Sequence, residues 1–343
     1  MSDLTVARAP RVSVIVPVFN AERFIKAALG SVLAQTYDDY EIIVVDDGST
    51  DGTQAAVTEM SGPIRYVPQP NQGPSVARNT GITTSRGALV CFLDSDDAWL
   101  PDKLAIQVAM IDAQPDLGLI FADEDEFDED GIQCASLLGT SRFYSAIPDR
   151  LPIPDAFQKI LSENFILTST VMARRECFDA AGLFDPALRA SEDRDMWSRI
   201  AARYPIAAIR QVLGRKRVVP SSLSRDLETT LRSRILMWTK ARRLFPDLAP
   251  RDTVNALLAS TFLQLGFVLL NKAHVIHGFM AIEIDQAGHG SHAAESLQPQ
   301  ENEIRVRHRN DRNSPGKFFG CELKWCEQRI VLCLFHNFAN HPS

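Results

Sequence analysis

Residues 87–99 read GALVCFLDSDDAW, and this stretch decides the fold. Ala88–Leu93 is a short apolar run that opens after Gly87 and ends abruptly in Asp94-Ser95-Asp96-Asp97. A run of this length, bounded by turn-forming and charged residues, reads as a strand buried on both faces. The same grammar occurs twice upstream. Val12–Val16 is a β-branched run followed by Pro17-Val18-Phe19-Asn20, with the proline read as its stop. Ile42–Val45 runs straight into Asp46-Asp47-Gly48-Ser49.

Helical patterns fill the gaps. In Ala21–Gln35, residues Phe24, Ala28, Leu29, Val32 and Leu33 recur at helical spacing behind Asn20, a residue suited to an N-cap. Thr53–Met60 and Ser75–Gly81 read as helices, and Arg65–Val67 as a strand. The alternation predicts an α/β, Rossmann-like fold with a mainly parallel sheet and helices on both faces. In such sheets ligands bind at the carboxyl ends of the strands. Three strands here end in polar or special residues, so the sequence predicts one polar edge and places the active site there.

The bulk numbers agree with a folded enzyme-sized chain. It has 343 residues, 45% hydrophobic and 23% charged, enough for a well-buried core. The net charge of −7 argues against nucleic acid as the main partner. Six cysteines are spread without a disulfide framework, which fits a reducing, cytosolic compartment. The N-terminus MSDLTVARAPR lacks the apolar core of a signal peptide. No transmembrane helix is expected, because the nearest candidate, residues 257–270, is interrupted by Ser260, Thr261 and Gln264.

Between about 115 and 165 the pattern weakens, and the acidic run Asp123–Asp130 reads as a solvated loop. Ile166–Ala173 reads as a strand and Glu192–Ala202 as a helix. Leu231, Ile235, Trp238 and Phe245 form an apolar stripe flanked by Arg232, Arg234, Lys240, Arg242 and Arg243. Such a basic helix either makes a peripheral contact with an anionic membrane surface or packs its stripe on the main domain, and packing is the plainer reading. Residues 253–270 form a second apolar helical segment, and beyond about 275 the chain is polar without clear periodicity. The expected organisation is a catalytic domain over 11–226, a helical extension over 227–274 and a poorly defined tail over 275–343.

The strand ends carry the chemistry. In an extended backbone, residues i and i+2 point the same way, so Asp94 and Asp96 converge. Two carboxylates this close repel. A divalent cation, Mg²⁺ or Mn²⁺, relieves that repulsion and uses one or two carboxylates plus substrate phosphates as ligands. Asp47, at another strand end, suits hydrogen bonds from a base or ribose, the alternative being a turn into the next helix. Arg78 either contacts a diphosphate or pairs with a neighbouring carboxylate. Glu192-Asp193 opens a helix, where the dipole alone accounts for acidic residues; a general-base role for Asp193 is equally open on residue types.

Several separate blocks resemble one family. VSVIVPVFNAERFI, SVLAQTYDDYEIIVVDDGSTDGT, NQGPSVARNTGI and GALVCFLDSDDAWLPDKL are similar to family 2 glycosyltransferases of the GT-A fold. So are STVMARRECFDAAGLFD, SEDRDMWSRIA and GRKRVVPSSLSRD, and the similarity runs in the family's order across 11–226. The resemblance implies an inverting transferase that uses a nucleotide-sugar donor, a divalent metal and a glycan or lipid-linked acceptor, in cell-envelope polysaccharide or glycolipid synthesis. The cysteine usage fits a cytoplasmic location, and the basic helix around Arg232–Arg243 allows a peripheral position at the inner face of the plasma membrane. By the family pattern Pro17, Phe19 and Glu22 line the nucleotide pocket, Asp47 contacts the base, and Asp94 and Asp96 form the acidic triplet. Asp96 is then the direct metal ligand and Asp193 the catalytic base.

There are departures. Val219 stands where members often carry a histidine, so either Arg217 compensates or that contact is missing. The Gln-x-x-Arg-Trp motif of processive synthases is absent, which favours transfer of a single sugar. Cys321, Cys326, Cys333 and His336 match no standard zinc spacing. Two rival functions compete with transfer. An inactive nucleotide-sugar-binding protein is disfavoured because the full carboxylate set is present. A sugar-1-phosphate nucleotidyltransferase is disfavoured because the first loop, Pro17–Asn20, has neither glycine nor cation.

Overall fold

The computed structural model describes residues 8–218 and 226–287. Val219, Cys321, Cys326, Cys333 and His336 lie outside the described residues. The chain divides into two compact units, Met1–Leu258 and Ala259–Ser343.

The first unit is built on a mixed sheet. Strands β1 (Val12–Val18), β2 (Tyr40–Asp46), β3 (Ile64–Pro68) and β4 (Leu89–Phe92) pair in parallel in the order β3-β2-β1-β4. Helices α1 (Ile25–Leu33), α2 (Thr53–Thr58) and α3 (Pro74–Thr84) connect them. Past β4 the sheet turns mixed. The short strand β5 (Ala98–Trp99) and helix α4 (Lys103–Ala113) lead into β6 (Leu119–Asp128), which folds back on β7 (Gly131–Cys134). After α5 (Ala156–Ser162) come β8 (Met172–Arg174), α6 (Arg175–Ala181), α7 (Glu192–Ala201) and β9 (Ile206–Arg217). Strand β8 runs antiparallel to both β4 and β6, β6 and β9 are parallel, and β5 closes the edge antiparallel to β9.

Alternation along β1 divides the core between the two faces. Val12, Val14, Val16 and Val18 pack with α1 and α4 residues such as Leu29, Val32 and Ile111. Ile15 points the other way, into a cluster with Phe92, Phe178, Phe184 and Trp197. The rings there meet at 5.5–5.9 Å between centroids, mostly edge to face, the geometry aromatic quadrupoles favour.

Several expectations need correction. Pro17 does not stop β1, which runs on to Val18. Ile15 faces β4, its carbonyl accepting from Leu93 N–H. Pro17, two residues on, faces the same side, where β4 has already ended, so its missing N–H forfeits no ladder bond. Asn20 is not a helix cap either: the residue preceding α1 is Phe24. Asn20 sits at φ 50° and pins the next loop, accepting from Thr50 N–H and donating its own N–H to Ser49 Oγ. Ile166–Ala173 is not one strand but a 3-10 turn, Thr168–Thr170, followed by β8.

The largest correction concerns Asp123–Asp130. It is not a solvated loop: Asp123, Glu124 and Asp125 are buried within β6. Asp123 is satisfied locally, accepting from the N–H groups of Glu124 and Leu138 and from Ser136 Oγ. The strand bulges at Ala122/Asp123 and Asp123/Glu124 where it pairs with β9, the kind of irregularity that re-aims side chains beside a site.

Helix α8 (Leu227–Leu244) packs its stripe inward, burying Leu231, Met237, Trp238 and Ala241. Lys240 is used within the fold, reaching Asp185 and Asp195, and Arg232 pairs with Glu228 on the same helix. That supports the packing reading of this helix. Helix α9 (Arg251–Ala287) continues past the apolar segment, through a region expected to lack periodicity. By length and composition its Arg251–Lys272 portion is long and apolar enough to cross a membrane, contrary to the sequence expectation. The interrupting Ser260, Thr261 and Gln264 break the apolar run without lowering its average enough.

Candidate active site

The carboxyl ends of β1, β2 and β4 lie side by side, and the loops after them are tied together by side chains. At the first loop Glu22 Oε2 accepts from Gly52 N–H at 2.6 Å, and Glu22 N–H donates to Asp51. Glu22 therefore holds the start of α2. Phe19 stands 51% exposed, an apolar ring left open at the polar edge, beside the partly buried Pro17.

At the end of β2, Asp46 accepts from Ser49 N–H and Tyr66 Oη. Asp47 turns to the loop before α3: Gln69 Nε2 and Gln72 N–H donate to its Oδ1, and Gly73 N–H donates to Oδ2 at 2.7 Å. Gly48 permits this approach, with φ 81° and room for no Cβ, since Asn71 N would lie 2.9 Å from one. Asp47 thus shapes the loop 69–73 and forms the floor of the edge between β2 and α3.

At the end of β4, Asp94, Asp96 and Asp97 share one turn closed by Asp97 N–H to the Asp94 carbonyl. Asp97, absent from the sequence-predicted site, is the buried post of this turn. It accepts from Ser169 Oγ at 2.5 Å and from Arg217 N–H at 3.0 Å. Ser169 Oγ also accepts from Asp94 N–H, and Ser169 O accepts from Trp99 Nε1. Burial first, then the charges of Asp94 and Asp96, push the Asp97 carboxyl well above the usual range. Glu124 is raised in the same way, by burial first and then by Asp97, and its Oε2 has no hydrogen-bond partner. Lys103 lies behind it, fully buried over the Trp99 ring at 3.9 Å and lowered to about 8 by burial.

Asp96 is raised by burial and by Asp94. Among the described residues no side chain donates to its carboxylate. Arg217 lies alongside, donating Nε–H to the Asp96 carbonyl at 3.2 Å. Its guanidinium packs on Phe127 and Phe24, 4.5 and 5.3 Å from the ring centroids. No cluster of three metal-ligating side chains occurs among the described residues. Asp96, free of a side-chain donor, beside Asp94, whose Oδ1 is taken by Arg78, nonetheless suits a hard divalent ion completed by phosphate oxygens.

Arg78, 5% exposed, joins this edge to the second half of the sheet. It donates to Asp94 Oδ1 at 2.9 Å and to Glu192 Oε1 at 2.7 Å. Asn79 is structural: its amide pairs with the backbone of Phe184 in both directions. Asp193, next to Glu192 on α7, has its carboxylate oriented by Asn164 Nδ2, Thr168 Oγ1 and Arg194 N–H. The structure therefore brings Arg78, Asp94, Asp96 and the Glu192-Asp193 pair to one region. Asp47, Pro17, Phe19 and Glu22 flank it on the β1–β2 side. The sequence reading missed Asp97, Ser169 and Glu124. A signal existed for the last, since Leu119–Ala122 runs into Asp123-Glu124 just as β2 and β4 run into their carboxylates.

A shallow surface groove beside α4, lined by Asp102, Ile106, Gln114 and Arg150 among others, shares no residue with this region.

Comparison with known proteins points to the same family. The family model described as "Glycosyl transferase family 2" matches residues 13–162. An uncharacterized glycosyltransferase of Rickettsia conorii is 31% identical over 210 residues, covering 61% of this chain and 33% of that one. The chain thus spans about a third of that relative's length. A UDP-Glc:α-D-GlcNAc-diphosphoundecaprenol β-1,3-glucosyltransferase, WfgD, of Escherichia coli is 42% identical over 102 residues, covering 29% of this chain and 40% of that one. Among solved structures, the mannosyltransferase PcManGT from Pyrobaculum calidifontis, in complex with GDP-Man and Mn²⁺, gives a TM-score of 0.58 at 21% identity, covering 82% of this chain and 81% of that one. TarS 1-349 of S. aureus, in complex with UDP-GlcNAc, gives 0.58 at 20% identity, covering 74% and 73%. At these identities the structural neighbours establish the shared fold.

Proposed function

We propose that this chain, a family 2 glycosyltransferase of the GT-A fold, transfers one sugar, with inversion, from a nucleotide-sugar donor to a glycan or lipid-linked acceptor. The observation that carries this reading is the polar edge itself. Asp94 and Asp96 stand crowded at the end of β4, and Arg78 links Asp94 to Glu192 beside Asp193.

In this reading the nucleotide lies along the ends of β1 and β2. Pro17 and Phe19 offer apolar contact, while Asp47 and its loop meet the base. Glu22 acts on the pocket by fixing the start of α2. Asp96, with Asp94, would hold a divalent cation, Mn²⁺ or Mg²⁺, which would neutralise charge on the departing nucleoside diphosphate. Arg217, held by aromatic faces on both sides, directs its terminal nitrogens at the same diphosphate and takes over the contact that a histidine at 219 would give. Asp193 accepts the proton of the acceptor hydroxyl as that oxygen bonds to the anomeric carbon. The bond from that carbon to the diphosphate oxygen breaks, and the diphosphate leaves with its electron pair. Attack from the face opposite the leaving group inverts the configuration.

Two observations bear on setting. The relatives include a glucosyltransferase named for a diphosphoundecaprenol-linked acceptor, which supports a cell-envelope glycan or its lipid-linked precursor as the acceptor class. Cys91, Cys134 and Cys177 are free thiols, in keeping with a reducing, cytoplasmic side of the membrane. The test is a panel of nucleotide sugars, including UDP-glucose, UDP-GlcNAc and GDP-mannose, screened for thermal stabilisation with and without Mn²⁺. The reading expects one donor to stabilise the protein in a Mn²⁺-dependent way. Stabilisation by none of them, with or without metal, would count against it.

A further inference from the structure

Arg78 is buried beneath the active edge, yet both its terminal nitrogens are taken by protein carboxylates. One partner, Asp94, ends β4; the other, Glu192, opens α7. The two are far apart in sequence and belong to the parallel and the mixed parts of the sheet. The guanidinium is fixed from a third direction by the ring of Phe184, 5.6 Å away, whose backbone is held by Asn79, the neighbour of Arg78 on α3. A diphosphate could reach the terminal nitrogens of Arg78 only by displacing one of two close ion pairs.

We infer that Arg78 and Glu192 are positioning residues that hold the first turn of α7, and with it Asp193, at a set distance from the carboxylates of β4. The inference rests on the reading of Asp193 as the base. The need for such a strut follows from the local structure. Helix α7 is entered through Ser191 at φ 58°, a strained left-handed conformation for a non-glycine residue, which persists only where surroundings over-determine it. Its first turn carries Glu192, Asp193 and Asp195. Asp195 is anchored on its own side by Arg199 and Lys240. Glu192 is the acid of that turn whose anchor lies across the active edge. The Asp193 carboxylate is oriented by Asn164, Thr168 and Arg194 N–H, so its direction is set locally, while its distance to the donor side depends on where α7 begins.

The inference separates Arg78 from a donor contact by what its loss does. A donor contact weakens nucleotide-sugar binding. A strut leaves binding intact and slows the step in which base, hydroxyl and anomeric carbon must align, because a misplacement of about 1 Å costs on the order of a hundredfold in rate. An interaction made only in the transition state lowers kcat and kcat/KM equally.

The experiment compares the full-length Glu192→Ala, Glu192→Gln, Arg78→Lys and Asp193→Ala proteins with wild type. It measures transfer kcat, the dissociation constant for the stabilising nucleotide sugar of the panel with Mn²⁺, and Tm. Glu192→Ala is expected to lower kcat about a hundredfold with the donor dissociation constant within about twofold of wild type. Glu192→Gln, which keeps a hydrogen-bond acceptor toward Arg78, should recover about tenfold of that loss. Arg78→Lys, a point charge that cannot serve both carboxylates in fork geometry, should behave like Glu192→Ala. If Arg78→Lys fails to fold, the two Glu192 variants decide alone. A donor dissociation constant raised tenfold or more with kcat unchanged would make Arg78 a donor contact and overturn the inference, as would wild-type kcat in Glu192→Ala. If Asp193→Ala keeps full turnover, the base reading itself falls and the strut falls with it. If Asp193→Ala is inactive while Glu192→Ala is normal, only the strut falls.

Discussion

Strand β4 ends in carboxylates at the open edge, whereas β6 carries its carboxylates inside the sheet. Asp94 and Asp96 are followed by a turn, and Asp96 has no side-chain donor among the described residues. Asp123, Glu124 and Asp125 sit within β6 and are all buried. In the first set Asp96 keeps its carboxylate clear of side-chain donors, while Asp94 gives one oxygen to Arg78. The second set is enclosed behind it, with Glu124 next to Asp97 in the field it feels. The contrast separates carboxylates exposed at a strand end from carboxylates enclosed in the sheet, two settings that composition alone does not distinguish.

The largest expected effect comes from the open set. Asp96→Ala should lower transfer by about a thousandfold, roughly 4 kcal/mol of transition-state stabilisation, and should abolish any rate difference between Mn²⁺ and chelator. Retained Mn²⁺ dependence in a steady-state assay would move the ligand role away from Asp96. The aromatic support comes next. Phe184 packs against Phe92 and Trp197 and under Arg78, so Phe184→Ala should cost about 3 kcal/mol of stability in denaturant titration. A loss below about 1 kcal/mol would mean that the cluster relaxes around the gap.

The enclosed set should show smaller effects of two signs. Ser169→Ala leaves the Asp94 N–H without its acceptor and Asp97 without one donor, a loss of about 2 kcal/mol in stability. Glu124→Gln should act in the opposite direction. The carboxyl of Glu124 is held above its ordinary range, so the folded chain binds its proton more tightly than the unfolded chain does. The resulting penalty is absent below the ordinary carboxylate range, about pH 4, and grows as pH rises toward the raised folded value. The variant should therefore match wild type in acid and exceed it by about 1 kcal/mol near neutrality, roughly 2–4 °C in Tm. A Tm difference that is flat with pH would show that the Glu124 carboxyl is not the source.

The same contrast explains what the sequence made legible. The parallel half follows a repeating rule of apolar strand, polar strand end, then helix, so β1 to β4 and the positions of Asp47, Asp94 and Asp96 could be read directly. The family blocks then pointed to Asp193, which spacing alone left open. Reading failed where tertiary context overrides local character. Asp123–Asp130 has the composition of a solvated loop, and only its pairing with β9 makes it a strand. Pro17 looks like a stop until the end of β4 shows that its missing N–H is not needed. Asp97 and Ser169 meet across a long stretch of chain, and no local pattern announces that contact. Arg78 was an even choice between diphosphate and carboxylate because residue type permits both; the ion pairs to Asp94 and Glu192 are a property of the fold.

The central claim is a division of labour, in which the ends of β1, β2 and β4 hold the donor and Asp193 on α7 removes the acceptor proton. Its most direct test is calorimetric titration of the stabilising nucleotide sugar with Mn²⁺ into Asp193→Ala, alongside the transfer rate of the same protein. The account predicts a donor dissociation constant within about twofold of wild type and transfer reduced by about a thousandfold. Full turnover, or loss of donor binding together with activity, would contradict it.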